Sequence, residues 1–341
     1  MIAVEPGGEG WKGTFVQYHF LGRTGVRVSE LCLGTMTFGV TADEAMAQQL
    51  VDRFLAAGGN FIDTANTYGR PNTGLSETVL GKALLGKRDQ VVLATKVRFV
   101  MGDGPNDAGL SRRHITEQVH ASLRRLQTDR IDLYQIHCWD EHVPIADVLR
   151  TLDDLVAAGK VLHIGCSNLA GWQLGMALAT SDLRGWSRFS CFQAEYSLIA
   201  RGAEREVIPA CQHEGLGLIA WSPLCGGFLS GKYHRDAAPP AGSRLAERSQ
   251  FPERHWRILA AVEQVAQARG KTVPQVALAW LLTRPGLTAP IMGVRNLEQL
   301  DDNLGAIGWQ LSREDLTSLD EASAIEPGYP YDFLAGAVNR R

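Results

Sequence analysis

Short apolar runs alternate with helix-like segments eight times along this chain of 341 residues, and that alternation is the strongest constraint on its fold. The runs are hydrophobic on both faces, which is typical of parallel strands covered by helices. Eight strand–helix units in a chain of this length predict an α/β fold of the (β/α)8 TIM-barrel type. The predicted strands are 31–34, 60–63, 91–95, 131–137, 161–167, 190–194, 216–221 and 289–293.

The segments outside the strands complete this prediction. A turn between two β-prone runs predicts an N-terminal hairpin over 18–28. Helices are predicted between the strands, and extra helices follow the last strand. Their predicted ranges are 42–57, 76–85, 113–126, 145–158, 170–180, 204–213, 252–269, 273–283, 297–306 and 313–322.

A doubly wound open sheet is the competing architecture. It usually carries Gly-x-Gly-x-x-Gly after its first strand, whereas residues 34–39 here read Gly-Thr-Met-Thr-Phe-Gly. We predict one barrel domain over 15–341, with residues 1–14 as a flexible leader. The long irregular stretch 225–249 is expected to bind a ligand or act as a lid.

Composition excludes several classes of function. The formal net charge is −3, which argues against nucleic-acid or membrane-surface partners, and no apolar stretch is long enough for a membrane helix. Six scattered cysteines without a Cys-x-x-Cys pair predict a reduced, cytoplasmic protein, either a monomer or a homo-oligomer. The run from His137 to His142 matches no standard ligand spacing, so no metal site is predicted.

Ionisable residues end three successive predicted strands. Asp63, Lys96 and His137 lie at these ends, and Tyr68 follows Asp63 by five residues. Taken singly, such residues are more often caps, solvated groups or packed core residues. In a barrel the carboxyl ends of the strands share one face, so together they predict a proton relay. The carboxylate would hold the ammonium, and the ammonium would lower the pKa of the phenol.

These residues carry a resemblance to a known family. The segments Gly-Asn-Phe-Ile-Asp-Thr-Ala-Asn-Thr-Tyr-Gly (59–69), Ala-Thr-Lys (94–96) and Tyr-Gln-Ile-His (134–137) resemble the catalytic signature of the aldo-keto reductases. The similarity runs from about residue 21 to residue 322 and lies in the branch of bacterial oxidoreductases and potassium-channel β-subunits. It implies a barrel closed by a hairpin, and an NAD(P)H-dependent enzyme that interconverts an aldehyde or ketone and an alcohol.

The resemblance also assigns the catalytic roles. Tyr68 would be the general acid or base, Lys96 would favour its phenolate, Asp63 would hold Lys96, and His137 would orient the substrate oxygen. The small-molecule substrate would be contacted by Met36, Phe38, Tyr68, Phe99, His137 and Trp139. Trp256 and residues 329–333 are further candidates for the wall of this pocket.

Cofactor contacts follow from the same resemblance. An arginine at position 295 favours NADP(H), with NAD(H) possible, because a guanidinium fits a 2′-phosphate. Without the resemblance, Ser167-Asn168 reads equally well as a helix N-cap, and Trp221 reads as a core residue. The implied contacts are Thr35, Met36, Asp63, Ser167, Asn168, Gln193, Trp221, Ser222, Pro223, Leu224, Gly226, Lys232, Arg244, Gly293, Arg295, Gln299, Asp302 and Asn303.

Two other functions remain open from the sequence. One is a redox-sensing regulatory subunit that binds the cofactor tightly and turns over slowly. His137 favours an active enzyme, since the channel β-subunits tend to lack an imidazole at that strand end. The other is a Schiff-base aldolase that uses Lys96, which would then have to be neutral.

Overall fold

An eight-stranded parallel barrel forms the centre of the protein. The computed structural model describes residues 16–69, 73–240, 242–247 and 250–338, so the predicted leader 1–14 lies outside the described residues. The strands are β1 (Tyr18–Phe20), β2 (Arg27–Ser29), β3 (Cys32–Gly34), β4 (Phe61–Asp63), β5 (Val92–Val97), β6 (Ile131–Ile136), β7 (Val161–Ser167), β8 (Phe189–Glu195), β9 (Gly217–Trp221) and β10 (Leu287–Gly293). Strands β3 to β10 pair in sequence and β10 returns to β3, which closes the barrel. The predicted (β/α)8 barrel is confirmed.

Helices surround the barrel and continue beyond its last strand. No helix among the described residues is both long enough and apolar enough to span a lipid bilayer. Shorter 3-10 segments occur at Arg88–Gln90, Gly202–Glu204 and Cys225–Ser230. The α-helices are α1 (Glu44–Ala56), α2 (Leu75–Ala83), α3 (Arg112–Leu126), α4 (Ile145–Ala157), α5 (Gly171–Arg184), α6 (Val207–Glu214), α7 (Glu253–Arg269), α8 (Val273–Leu282), α9 (Leu297–Leu304), α10 (Arg313–Ser323) and α11 (Tyr331–Val338).

The predicted hairpin closes the amino-terminal end of the barrel. Strands β1 and β2 pair antiparallel, and Leu21 and Val28 are fully buried. Both side chains join an interior cluster with inward-facing residues such as Phe61, Leu133 and Ile219. Burying a side chain of this size stabilises the fold by roughly 1.5–3 kcal/mol, so the hairpin is a fixed plug of the barrel.

All six cysteines have free thiols in the structure, as the scattered pattern predicted. Cys32, Cys166, Cys191 and Cys211 are buried. Burial raises the pKa of each of these four thiols, so they remain protonated and behave as small apolar side chains.

The structure differs from the prediction at the start of α2. Ser76 was expected to open this helix, but the helix begins at Leu75, and Gly74 is its N-cap with φ 87°. Ser76 is fully buried and donates its hydroxyl to the Thr35 carbonyl at 2.7 Å. The neighbouring Glu77 is also fully buried, and its carboxylate accepts from Thr95 Oγ1 at 2.6 Å and from Arg125 Nε at 2.7 Å. The first turn of α2 therefore ties β3 and β5 to α3.

Helix α11 was not predicted. Its first residue, Tyr331, donates its hydroxyl to Glu206 Oε1 at 2.6 Å, just before α6 begins. Phe333 and Leu334 on α11 are exposed. Because helices of a barrel begin near the carboxyl ends of the strands, this contact places α11 beside the catalytic face.

Candidate active site

Three ionisable residues converge at the carboxyl end of the barrel. Asp63 is the last residue of β4, Lys96 is the next-to-last residue of β5, and His137 directly follows β6. The register pairs Asp63 with Ala94, so Lys96 lies two residues further along its strand. Tyr68 reaches the same place from the loop after β4, because its hydroxyl lies 3.4 Å from Lys96 Nζ. The four residues predicted for the relay therefore lie together.

Lys96 and Asp63 form a buried ion pair. Their side chains are 0% and 3% exposed, and Lys96 Nζ donates to Asp63 Oδ1. Lys96 also donates to the Thr64 carbonyl at 2.9 Å. Burial would lower the pKa of Lys96, but the charge of Asp63, supported by Tyr68, outweighs burial and raises it above the ordinary value. A charged Lys96 argues against a Schiff-base mechanism, which needs the neutral amine.

Two amides hold the second oxygen of Asp63. Gln135 Nε2 and Gln193 Nε2 donate to Asp63 Oδ2 at 3.2 and 2.9 Å. Sequence reasoning missed Gln135, although it lies two residues before His137 on the same strand. Gly165 makes room for it, because a Cβ on Gly165 would lie 3.2 Å from Gln135 Cγ and 2.6 Å from Cys191 Sγ. Since the amide nitrogen of Gln193 is used by Asp63, the predicted contact with the nicotinamide would have to use its oxygen.

Tyr68 places its ring and hydroxyl group beside Lys96 and His137. Its ring lies 5.1 Å from Lys96 Nζ and meets the His137 ring edge-on at 6.0 Å. Burial raises the pKa of Tyr68, and the opposing effect of Lys96 is smaller, so the net shift is upward. The expected influence of the lysine is present, but the expected net lowering of the pKa is not. Tyr68 is therefore a protonated phenol at neutral pH, as a proton donor must be.

His137 is a neutral imidazole in this environment. Burial, together with the positive charges of Lys96 and Arg98, lowers its pKa to about 3. Its ring packs against Phe99 with 4.6 Å between centroids, and its buried Nδ1 has no partner among the described residues. A neutral imidazole has one N–H group to donate to a substrate oxygen.

A second group of polar residues follows β7 and β9. Asn168 Nδ2 donates to the His137 carbonyl and to Ser167 Oγ, both at 2.9 Å, and Trp221 Nε1 donates to Asn168 Oδ1 at 3.1 Å. Ser167 and Asn168 do not cap α5, because Ala170 is its N-cap. The N-cap alternative is therefore wrong. Asn168 is exposed and Trp221 is half-buried, so both are accessible to a ligand.

A tight turn with positive φ angles follows β9. Ser222, Gly226 and Gly227 have positive φ angles of 55°, 65° and 92°, and Ser222 Oγ accepts from the amide of Gly226 at 3.1 Å. Lys232 comes close, since a Cβ on Gly227 would lie 3.4 Å from Lys232 Nζ. Of the other predicted loop contacts, Pro223 is buried and Leu224 is half-buried.

Two arginines border this loop. Arg244 Nη2 lies 3.9 Å from Met36 Sδ, and its charge is one of the effects that lower the pKa of Tyr68. Arg295 donates Nη1 to the Gly242 carbonyl at 3.0 Å, and Gln299 Oε1 accepts from the amide of Arg295 at 3.0 Å. A positively charged border therefore runs from the phenol to the start of α9.

The remaining residues of the adenosine prediction divide into exposed and buried positions. Gly293 and Gln299 are exposed, whereas Asn303 is 4% exposed. Asp302 also makes contacts within the protein, and its contact with the cofactor stays a prediction. Its Oδ1 accepts from Thr272 Oγ1 at 2.8 Å and from Gln275 Nε2 at 3.0 Å, so its carboxylate is engaged at the start of α8.

Two further predicted contacts are buried in the protein. Thr35 is fully buried, and its hydroxyl lies within hydrogen-bonding distance of the Asp63 carbonyl at 3.2 Å and of Ser76 Oγ at 2.9 Å. Phe38 is fully buried in the core between barrel and helices, so it does not line a substrate pocket. Met36 lies between them and is 39% exposed, which keeps it available.

An aromatic pair stands at the outer edge of the same face. Trp139 follows β6, and its ring lies 5.8 Å from that of Trp172 at the start of α5. Trp172 is 61% exposed and was not predicted. Among the described residues, no group of three or more His, Cys, Asp or Glu side chains could hold a metal ion.

Comparison with known proteins decides the family. The model of the aldo/keto reductase family matches residues 30–324. The chain belongs to the aldo/keto reductase family. It is an NAD(P)H-dependent, carbonyl-reducing oxidoreductase, and the structure places the residues of the resemblance on its catalytic face.

Individual relatives cover almost the whole chain. It is 44% identical over 321 residues to the uncharacterized oxidoreductase YrpG of Bacillus subtilis, with 92% of this chain and 97% of the relative aligned. It is 36% identical to norsolorinic acid reductase stcV of Emericella nidulans, covering 91% and 82% of the two chains. It is 33% identical to aryl-alcohol dehydrogenase [NADP(+)] of Phanerodontia chrysosporium, covering 90% and 86%.

Proposed function

We propose that the enzyme reduces an aldehyde or ketone on an aromatic compound with NADPH, or runs the reverse oxidation, with Tyr68 as the proton donor or acceptor. The observation that carries this proposal is the buried chain from Asp63 through Lys96 to the Tyr68 hydroxyl. The name of the aryl-alcohol dehydrogenase relative supports an aromatic substrate. The pair formed by half-buried Trp139 and exposed Trp172 is compatible with stacking on such a ring.

The side chains present fit a nicotinamide nucleotide. Asn168 and Trp221 offer an accessible amide and an aromatic face next to His137, as a carboxamide-bearing ring needs. The turn with positive φ angles at Gly226 and Gly227 lets the backbone and Lys232 approach a phosphate. When bound, the cofactor supplies the hydride to the carbonyl carbon.

The protein supplies the proton and the charges that stabilise the reacting oxygen. As negative charge develops on the carbonyl oxygen, Tyr68 donates its hydroxyl proton to that oxygen. The charge of Lys96 then stabilises the phenolate, and Asp63 keeps Lys96 charged and fixed. Neutral His137 donates its N–H to the same oxygen and orients it. In the reverse reaction the Tyr68 phenolate removes the proton of the alcohol.

Preference for NADP(H) is the finer part of the proposal. Arg295 uses Nη1 for the Gly242 carbonyl, and its other guanidinium N–H groups remain for a 2′-phosphate. The aryl-alcohol dehydrogenase relative carries NADP(+) in its name, which supports this preference. NAD(H) lacks the phosphate and would bind more weakly.

The direct test is Tyr68→Phe, which removes only the hydroxyl. We expect kcat for an aromatic aldehyde to fall by about 10²- to 10⁴-fold, the usual contribution of a general acid. Titration of Trp fluorescence with NADPH should give an unchanged Kd. Tyr18→Phe is the matched control, because Tyr18 lies in the hairpin at the other end of the barrel.

Unchanged turnover in the Tyr68→Phe variant would contradict the mechanism. A wild-type protein that binds NADPH tightly but reduces none of a broad set of carbonyls would instead favour the regulatory-subunit hypothesis.

A further inference from the structure

Arg98 is a strained residue at the mouth of the active site. It directly follows β5, two residues after Lys96, and its φ of 149° lies in a region that side-chain-bearing residues rarely adopt. Its carbonyl accepts from the amide of Gly109 at 2.7 Å, which holds this conformation in place. Strain that persists at such a position is a reason to look for a function of the side chain.

The guanidinium group of Arg98 has no hydrogen-bond or ion-pair partner in the described part of the chain. Its Nε is buried without an acceptor, and the side chain as a whole is half-buried. Arginines taken partly out of water are normally paired with a carboxylate or a carbonyl, because an unpaired buried charge is unfavourable. An external anion could therefore act as the missing partner of this guanidinium group.

The position of this guanidinium is fixed by its neighbours. Arg98 Cζ lies 5.6 Å from the centroid of the Phe99 ring, and Phe99 in turn packs on His137. The charge of Arg98 also acts on His137 and on Cys138, which follows it. Arg98 therefore lies on the side of the site where His137 would orient the substrate.

The acidic groups nearby form no ion pair with Arg98 among the described residues. Asp63 is occupied by Lys96 and two glutamine amides. Asp140 is buried, and its two carboxylate oxygens accept from the amides of Leu110 at 2.7 Å and His142 at 3.0 Å. With Arg244 near Tyr68 as a further cation, the mouth carries an excess of positive charge.

We infer that Arg98 forms an oxyanion subsite, so that the preferred substrate carries a carboxylate or an ionised phenol on the molecule whose carbonyl is reduced. The inference rests on the proposed carbonyl reduction and deepens it by naming the substrate class. A planar guanidinium can bind a carboxylate through two parallel N–H groups and a phenolate through one or two. The bound anion would pair with the other two guanidinium nitrogens and offset the positive charge beside His137.

The binding test needs no turnover. Titrations of the enzyme with benzoate and with benzamide, with and without NADPH, compare an anion with a neutral molecule of similar shape. We expect benzoate to bind at least about 10-fold more tightly than benzamide, and Arg98→Met to remove the difference. Arg98→Lys should keep part of it. Arg184→Met is the matched control for loss of one positive charge, because Arg184 ends α5 at the opposite end of the barrel.

The kinetic test compares 4-carboxybenzaldehyde with benzaldehyde. The ratio of their kcat/KM values should exceed about 10 in the wild type, through KM, and should fall towards 1 in Arg98→Met. Measuring 4-hydroxybenzaldehyde above and below the pH at which its phenol ionises distinguishes phenolate from carboxylate recognition. Circular dichroism and NADPH titration check that each variant is folded.

The outcomes separate the two proposals. Benzaldehyde turnover with no preference for either anion, and benzoate binding that is unchanged in Arg98→Met, would overturn the subsite and leave carbonyl reduction standing. Turnover of none of the aldehydes would count against the proposed function, and the benzoate titration would still decide the role of Arg98.

Discussion

Removing one partner of the buried Asp63–Lys96 pair should destabilise the protein more than removing both charges. Asp63→Asn leaves the Lys96 ammonium at 0% exposure without an anionic partner, next to the Thr64 carbonyl at 2.9 Å and the Tyr68 hydroxyl at 3.4 Å. Lys96→Met leaves the Asp63 carboxylate with only two glutamine amides, at 3.2 and 2.9 Å. Removing one partner of a buried pair costs about 3–5 kcal/mol, and the remaining hydrogen bonds place both single variants near 3 kcal/mol.

The double variant Asp63→Asn/Lys96→Met carries no buried charge at this position. Asparagine can keep one hydrogen bond to the glutamine amides, and methionine fills most of the volume of lysine. We therefore expect the double variant to lose about 2 kcal/mol, so that the coupling between the two positions is about 4 kcal/mol. Equilibrium urea unfolding, followed by Trp fluorescence and circular dichroism, measures all four proteins of the cycle.

The reasoning is refuted if the losses of unfolding free energy in the two single variants add up in the double variant. A double variant that loses about 6 kcal/mol would mean that the residues stabilise the fold independently, through packing or through the amides alone. A coupling below about 1 kcal/mol would mean that water reaches the pair, in contradiction to its burial.

Two further predictions concern the cofactor and pH. Arg295→Ala should weaken NADPH binding by about 10- to 100-fold, which is the contribution of one charge-assisted interaction, and should change NADH binding little. Equal losses of affinity for NADPH and NADH in fluorescence titrations would show that Arg295 does not bind the 2′-phosphate. The pKa of His137 is about 3 in the folded chain and near the ordinary value of 6.5 in the unfolded chain. As pH falls below 6.5, the unfolded chain therefore binds a proton at this residue and the folded chain does not. Stability is therefore lost as pH falls, by about 2 kcal/mol between pH 7 and pH 5, and His137→Asn should remove that share; identical pH slopes in urea unfolding would contradict the assignment.

The barrel could be predicted from the sequence because each strand is recognisable from its own residues. Each apolar run is short, is bounded by turn residues and is hydrophobic on both faces, so its type does not depend on distant contacts. Polar residues at strand ends could be located for the same reason. Asp63, Lys96 and His137 were found because position along a strand determines which end of a barrel a residue occupies.

Other parts of the site depend on which residues meet across the barrel. Gln135 and Gln193 reach Asp63 from strands that are far away in sequence, and no local pattern marks a glutamine as a neighbour of a given carboxylate. Thr35 and Phe38 follow β3, but the direction of each side chain is set by α2 and the surrounding core. The role of Arg98 could not be predicted, because the lack of a hydrogen-bond partner is visible only in the folded structure.

The carboxylate of Asp63 on β4 joins side chains from three other strands of the barrel. Lys96 comes from β5, Gln135 from β6 and Gln193 from β8, and Gly165 on β7 leaves the space between them. The geometry of the site therefore depends on closure of the barrel: a half made of β3 to β6 contains Asp63, Lys96 and Tyr68 but lacks Gln193, which holds the second oxygen of Asp63. A cell that makes this protein gains a reductase only when the ring of strands has closed.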